Sequence, residues 1–189
     1  MEYLKQKILK EGIIKEGCIL KVDSFLNHQI DVEFLNEVGK EFKRRFSDKE
    51  VTKILTVEAS GIAIAVMTAQ YFNVPVLFAK KVESSNMDES TYESEVYSYT
   101  RGKTYKIRIS RNYLSKDDKV LVIDDFLANG SAALGLVNLV KSAGAELSGI
   151  GIVIEKSFQD GGKRLREKGI NLHSLIRVEF DSENNIIFK

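Results

Sequence analysis

The 189 residues carry 28 basic and 27 acidic side chains, a formal net charge of +1, and 43% of them are hydrophobic. That balance excludes a nucleic-acid binder working through a general basic face, and the length suits one α/β domain burying roughly 70% of its unfolded surface. The single Cys18 can make no internal disulfide, which points to a reducing cytosol, and the chain shows neither a signal-peptide pattern nor a run of membrane-spanning length.

In chain order, residues 2–11 read as a short charged helix with Leu4, Ile8 and Leu9 on one face. Gly12 and Gly17 bracket a turn, and Ile19 to Val22 follows as a short strand. Asp31 is a good N-cap for a helix to about Phe46, with Phe34, Leu35, Val38 and Phe42 at core spacing. Lys53 to Val57 reads as a strand, Glu58-Ala59-Ser60-Gly61 as a polar turn, and Ile62 to Phe72 as a nearly all-apolar, deeply buried helix. Pro75 opens a strand from Val76 to Ala79, with Lys80 and Lys81 just after it. The polar stretch 83–94 reads as a loop able to close over a site, and 95–100 with 104–110 as a hairpin around Arg101-Gly102-Lys103. Beyond residue 142 come a strand at Gly149 to Glu155, a polar corner at 156–162, a helix near 163–168 and strands at 172–178 and 186–188. The core order, strand-helix-strand-hairpin-strand-helix-strand, predicts an α/β domain with a mostly parallel sheet flanked by helices.

The most informative segment is Val120-Leu-Val-Ile-Asp-Asp-Phe-Leu-Ala-Asn-Gly-Ser131. Val120 to Ile123 reads as a strand buried on both faces, ending at Asp124 and Asp125. A turn at Asn129, Gly130 and Ser131 leads into a helix from Ala132 to Ser142, stopped near Gly144. Backbone N–H groups of Gly130, Ser131 and Ala132 at a helix N-terminus suit a phosphate. Carboxylates beside that cradle suit the hydroxyls of a sugar, so the pair reads as a sugar-phosphate site. Glu58 to Gly61 repeats the logic at a second strand–helix junction. A lysine of the pair 80–81 supplies a cation at the same sheet edge, and Lys156 ends another strand there. No P-loop or nucleophile elbow is present, Gly149-Ile-Gly151 lacks the third glycine of a dinucleotide turn, and His28 and His173 have no partners at metal-ligand spacing.

Together these residues resemble the type I phosphoribosyltransferases, whose signature for 5-phosphoribosyl 1-diphosphate (PRPP) fits Val120 to Ala132. Leu20 to Gln29, Glu58 to Ile62 and Ile152 to Phe158 are similar to the xanthine-using members of that family. The resemblance implies one domain over 1–189, with a small hood from about 1–30 and 156–189, and a homodimer. It assigns Asp124 and Asp125 to catalysis, Ala128, Asn129, Gly130, Ser131 and Ala132 to PRPP, and Leu20, Asn27 and Lys156 to the purine. Glu58, Ser60, Gly61 and Lys81 would take the departing pyrophosphate with Mg²⁺, which would be held by substrate and water more than by protein side chains. The implied reaction joins xanthine to the phosphoribosyl group of PRPP in the cytoplasm, through an oxocarbenium-like sugar, with neither nucleic acid nor membrane as partner. Ala128 stands where hypoxanthine-guanine relatives carry an acid, which argues against those bases. A guanine-, hypoxanthine- or adenine-using enzyme remains an alternative. So does a PRPP-sensing regulator, although residues 1–50 show no helix-turn-helix pattern.

Overall fold

Alternate residues of Val120-Leu-Val-Ile123 enter two different cores, as a strand covered on both faces requires. Val120 and Val122 join Leu136, Val140 and Ile152 on one side; Leu121 and Ile123 join Phe34, Phe42 and Ile64 on the other. The structure, a computed structural model, describes residues 1–15, 19–82, 90–98 and 102–189. Cys18 and Arg101 lie outside them.

In chain order the elements are α1 (Glu2–Glu11), β1 (Ile13–Lys15), β2 (Ile19–Lys21), a π-helical turn (Asp23–Asn27), α2 (Val32–Arg45), β3 (Lys53–Val57), α3 (Gly61–Phe72) and β4 (Val76–Val82). They continue with β5 (Thr91–Ser98), β6 (Lys103–Ser110), β7 (Lys119–Leu127), α4 (Ser131–Ser142), β8 (Glu146–Lys156), α5 (Gly161–Glu167), β9 (Leu172–Phe180) and β10 (Ile186–Phe188). Eight strands form one sheet in the order β10-β9-β8-β7-β3-β4-β6-β5. The five from β9 to β4 are parallel, and β10, β6 and β5 are antiparallel additions. The chain leaves β3 toward β4 but leaves β7 toward β8. The order therefore switches direction between β3 and β7, where an open parallel sheet leaves a crevice for ligands.

α2 and α3 cover one face of the sheet; α4 and Leu165 of α5 cover the other. Asp31 caps α2 as expected, accepting from the Phe34 N–H at 3.0 Å, and Lys7 of α1 reaches the same carboxylate at 2.6 Å. Gly149 and Gly151 have a packing role. A Cβ on either would lie 2.5–2.7 Å from Phe46 or Phe42 of α2, so the missing side chains let that helix lie close on β8. His173 packs edge-on against Phe46, with ring centroids 4.9 Å apart. Leu4, Ile8, Leu20 and Phe25 share one cluster with Val178, so the two ends of the chain pack together.

Several expectations need correction. Ile13–Lys15 is a strand, paired antiparallel with β2 in the register Ile14↔Leu20, where a turn was expected. α3 is buried on one side only, through Ile64, Ala65, Thr68 and Ala69, while Val66 is 52% exposed. β4 runs three residues past Ala79, because β6 takes over as hydrogen-bonding neighbour where β3 ends. Lys80 and Lys81 are therefore within a strand. Of the expected loop at 83–94, residues 83–89 lie outside the described residues and Thr91 to Ser94 belong to β5.

Candidate active site

β7 also outruns its expected end. It continues through Asp124 and Asp125 to Leu127, because the eleven-residue β8 pairs with it as far as Leu127↔Glu155. Its other neighbour stops earlier, at Leu55↔Val122. The two acids thus stand on a strand that keeps one neighbour and has lost the other, at the lip of the crevice. The pleat turns them to opposite faces.

Asp124 is buried, at 6% exposure. Its Oδ1 accepts the Asp125 N–H at 3.1 Å and faces the first residue of α3. A Cβ at Gly61 would lie 3.0 Å from that oxygen and 2.1 Å from Thr56 Oγ1, so only glycine lets α3 begin there. The Thr56 hydroxyl is buried with no hydrogen-bond partner among the described residues. Burial, and then the charge of Asp125, pushes the Asp124 carboxyl well above the ordinary carboxylate range; Lys81 acts weakly the other way.

Asp125 is half-buried and held at both oxygens. Oδ1 accepts the Phe126 N–H at 2.7 Å, and Oδ2 accepts the Asn27 side-chain amide at 2.9 Å. That second bond joins residues 98 apart in sequence and brings the end of the π-helical turn over the acid pair. Lys156, the last residue of β8, lies with Nζ 5.2 Å from the centroid of the Phe126 ring. Burial lowers the pKa of this half-buried ammonium, and Asp125 opposes that shift. Asn27, Asp125, Phe126 and Lys156 thus form one connected group. Leu20 is not part of it, since its side chain is 5% exposed in the core beside α1.

The loop after β7 turns at Gly130, whose φ of +81° is the left-handed conformation that glycine adopts freely. α4 starts at Ser131, and the Leu134 N–H donates to Gly130 O at 2.9 Å. The amides ahead of Leu134 in that first turn have no intrahelical acceptor, so Ser131 and Ala132 present N–H groups with the helix dipole behind them. On β3 the corresponding junction is Glu58 to Gly61. The Glu58 N–H donates to Ala79 O at 3.1 Å, and Glu58 Oε1 accepts the Lys81 N–H at 2.6 Å. The Glu58–Ala59 peptide is cis, and Ser60 precedes α3 without a side-chain cap. Two helix N-termini therefore share one sheet edge, with two acids between them: a layout for a ligand bearing anionic groups at both ends and hydroxyls in the middle.

Sequence reasoning missed the support behind the loop. Gly161, in the corner read as merely polar, donates to the Ala128 carbonyl, and Arg164, in the expected helix near 163–168, donates to that of Asn129. It also missed the buried Glu155, held by Arg166 through two bonds of 2.8 and 2.6 Å and by the Ser174 hydroxyl. The adjacent glycines at 161 and 162, at a strand-to-helix junction, were the available signal.

A family model for the phosphoribosyl transferase domain matches residues 26–179. The chain is 61% identical to the xanthine phosphoribosyltransferase of Clostridium novyi, covering 100% of both. It is 64% identical to that of Ruminiclostridium cellulolyticum, covering 100% of this chain and 99% of the relative. The solved adenine phosphoribosyltransferase of Trypanosoma brucei, in complex with AMP, pyrophosphate and ribose-5-phosphate, matches with a TM-score of 0.77 at 20% identity, over 96% of this chain and 82% of that one. The enzyme of the same name from Thermoanaerobacter pseudethanolicus gives 0.75 at 21% identity, over 92% and 99%. The two structures speak for the type I fold alone; the family model adds the stretch from the π-helical turn to the end of β9, which contains every loop and acid of the crevice. On those grounds the chain belongs to the phosphoribosyl transferase domain family.

Proposed function

We propose that this protein transfers the 5-phosphoribosyl group of PRPP to xanthine, giving xanthosine 5′-monophosphate and pyrophosphate. The observation that carries the reading is the crevice itself, an acid pair between two helix N-termini, in a chain that matches xanthine phosphoribosyltransferases over its whole length.

In this reading the amides of 128–132 hold the 5′-phosphate, and the second junction, Glu58 to Gly61 with Lys81, receives the pyrophosphate. Asp125 accepts hydrogen bonds from ribose hydroxyls. Asp124 lies in the low-dielectric wall, where attraction between a carboxylate and a cationic sugar is strongest. Covalent chemistry is not needed; placement and electrostatics suffice. Mg²⁺ fits this donor set, because Asp125 offers hard oxygen at the lip of the crevice and the substrate brings more. Bound with PRPP, Mg²⁺ would offset negative charge on the departing pyrophosphate. Among the described residues no group of three or more acidic, histidine or cysteine side chains converges as a metal cage.

Lys156 and Asn27 read the base. An ammonium favours the C2 oxygen of xanthine over the donor amino group of guanine, and Asn27 offers both donor and acceptor. Lys156→Ala is expected to lower kcat/KM for xanthine by roughly 100-fold and for guanine by less than about tenfold. Equal losses for both bases would remove Lys156 from the account of specificity. The reading as a whole is tested with a purine panel and Mg²⁺-PRPP, following nucleotide and pyrophosphate base by base. Preference for guanine, hypoxanthine or adenine would overturn it.

The working unit in this proposal is a single domain over 1–189, hooded by segments from about 1–30 and 156–189, acting as a cytoplasmic homodimer without nucleic-acid or membrane partners. Among the described residues no helix is long and apolar enough to cross a membrane. The dimer face we favour is the outer side of α3 and β4, where Val66 is 52% exposed beside a cleft of about 580 Å³ and Phe78 is 38% exposed beside one of about 670 Å³, the two clefts sharing Pro75 and Val76. Sedimentation should give a dimer, and Val66→Glu with Phe78→Glu a monomer; a monomeric wild type would refute that assembly.

A further inference from the structure

The outward-facing side of the phosphate loop is occupied, and what occupies it has a consequence for substrate binding. A peptide unit is planar and trans, so its N–H points away from its C=O. The carbonyl of Ala128 and the N–H of Asn129 belong to one such unit, and the carbonyl of Asn129 and the N–H of Gly130 to the next. Fixing the two carbonyls on one side therefore aims the two amides to the other.

α5 supplies both partners. The Gly161 N–H donates to Ala128 O at 3.0 Å, and the Arg164 guanidinium donates to Asn129 O at 3.0 Å. Contact between the backbones is close as well. A Cβ on Gly161 would lie 2.2 Å from Ala128 O, 2.7 Å from Gly130 N and 2.9 Å from Asn129 C. In return, a Cβ on Gly130 would lie 3.1 Å from the Gly161 Cα. The loop thus rests on a glycine, with a guanidinium closing its far end.

We propose that Gly161 and Arg164 are positioning residues for the 5′-phosphate: they hold the carbonyls of residues 128 and 129 outward and so keep the loop amides turned to the anion. This rests on the reading of 128–132 as the phosphate loop, and adds to it two residues that never touch substrate. Their influence falls on the phosphate end of the crevice, since Asn27 and Lys156 reach the base side through β8 and the π-helical turn instead.

The test is steady-state kinetics with PRPP and xanthine, together with binding of xanthosine 5′-monophosphate and of xanthine alone. Arg164→Met should raise KM for PRPP and the Kd for the nucleotide by about three- to tenfold, the range of one hydrogen bond from a charged donor to an exposed carbonyl. KM for xanthine should stay within about twofold, and Arg164→Lys should recover most of the loss. Gly161→Ala, whose methyl group must displace the loop backbone, should raise KM for PRPP by about 100-fold or more with kcat reduced less. Should that variant fail to fold, the two arginine variants decide the matter alone. Unchanged KM for PRPP in Arg164→Met, or equal losses for PRPP and xanthine, would overturn the proposal. A wild type that does not turn over PRPP would overturn the phosphate-loop reading and this inference with it. A wild type that does, with variants that match it, would overturn the inference alone.

Discussion

Asp125→Asn is expected to cut kcat about 10²- to 10³-fold while leaving the fold intact, the scale of one lost transition-state electrostatic contact. The structure says why folding should survive. The asparagine oxygen can still accept the Phe126 N–H, now made at 2.7 Å, and the Asn27 amide can rotate to present its oxygen to the new NH₂ group. What disappears is the negative charge opposite the sugar. Asp124 does not take its place, because it is buried against the start of α3, whereas Asp125 stands at the lip of the crevice beside Asn27. Pyrophosphate release at saturating PRPP and xanthine, beside a thermal melt, checks both halves of the expectation. Near-normal turnover in a well-folded variant would take Asp125 out of catalysis, and a collapsed melt would show that the Asn27 bond matters more to folding than its exposed position suggests.

Much of this was legible in the chain, for local reasons. Gly130 and the helix after it announce themselves through a run of small residues that only a tight turn uses, and Asp31 marks the start of α2 through its cap. Less legible was anything decided by a distant neighbour. Asp124 and Asp125 read as the end of a strand because their polarity says so. Their strand continues because β8, more than twenty residues on, supplies a ladder partner. Lys80 and Lys81 lie within β4 rather than after it for the same reason, with β6 as the distant partner. The bond from Asn27 to Asp125 spans 98 residues and leaves no pattern in either segment. For α3 composition misleads: an apolar helix reads as buried all round, although Val66 faces outward. In the dimer we propose, a second copy of the chain would cover that face.

The largest effect on stability is expected from Arg166→Met, and it should exceed that of removing the partner carboxylate. Glu155 is the buried member of the pair, at 2% exposure, whereas the side chains of Arg166 and Arg177 are 39% and 46% exposed. Burial alone would raise the Glu155 pKa. The two bonds from Arg166, the Ser174 hydroxyl and the charge of Arg177 outweigh it, so the carboxyl is held below its ordinary value. Without Arg166 a buried carboxylate keeps, among the described residues, the Ser174 hydroxyl and Arg177 at 3.4 Å, and about 3–5 kcal/mol of stability should be lost at neutral pH. Glu155→Gln should cost less, since it leaves arginines that water can reach. The pH dependence has a definite sign. In the wild type the depressed pKa adds stability above the unfolded-state value, and that contribution is lost as pH falls through the folded one. In Arg166→Met burial is no longer outweighed, so Glu155 binds a proton more readily when folded, and the deficit against wild type should shrink on acidification from neutrality. Urea unfolding at about pH 7 and pH 5 measures both quantities. A deficit that grows on acidification, or a Glu155→Gln variant as unstable as Arg166→Met, would show that burial is not what makes this pair matter. Because Arg166 shares α5 with Gly161 and Arg164, its loss should also loosen the backing of the phosphate loop, and KM for PRPP in the surviving folded enzyme should rise with it.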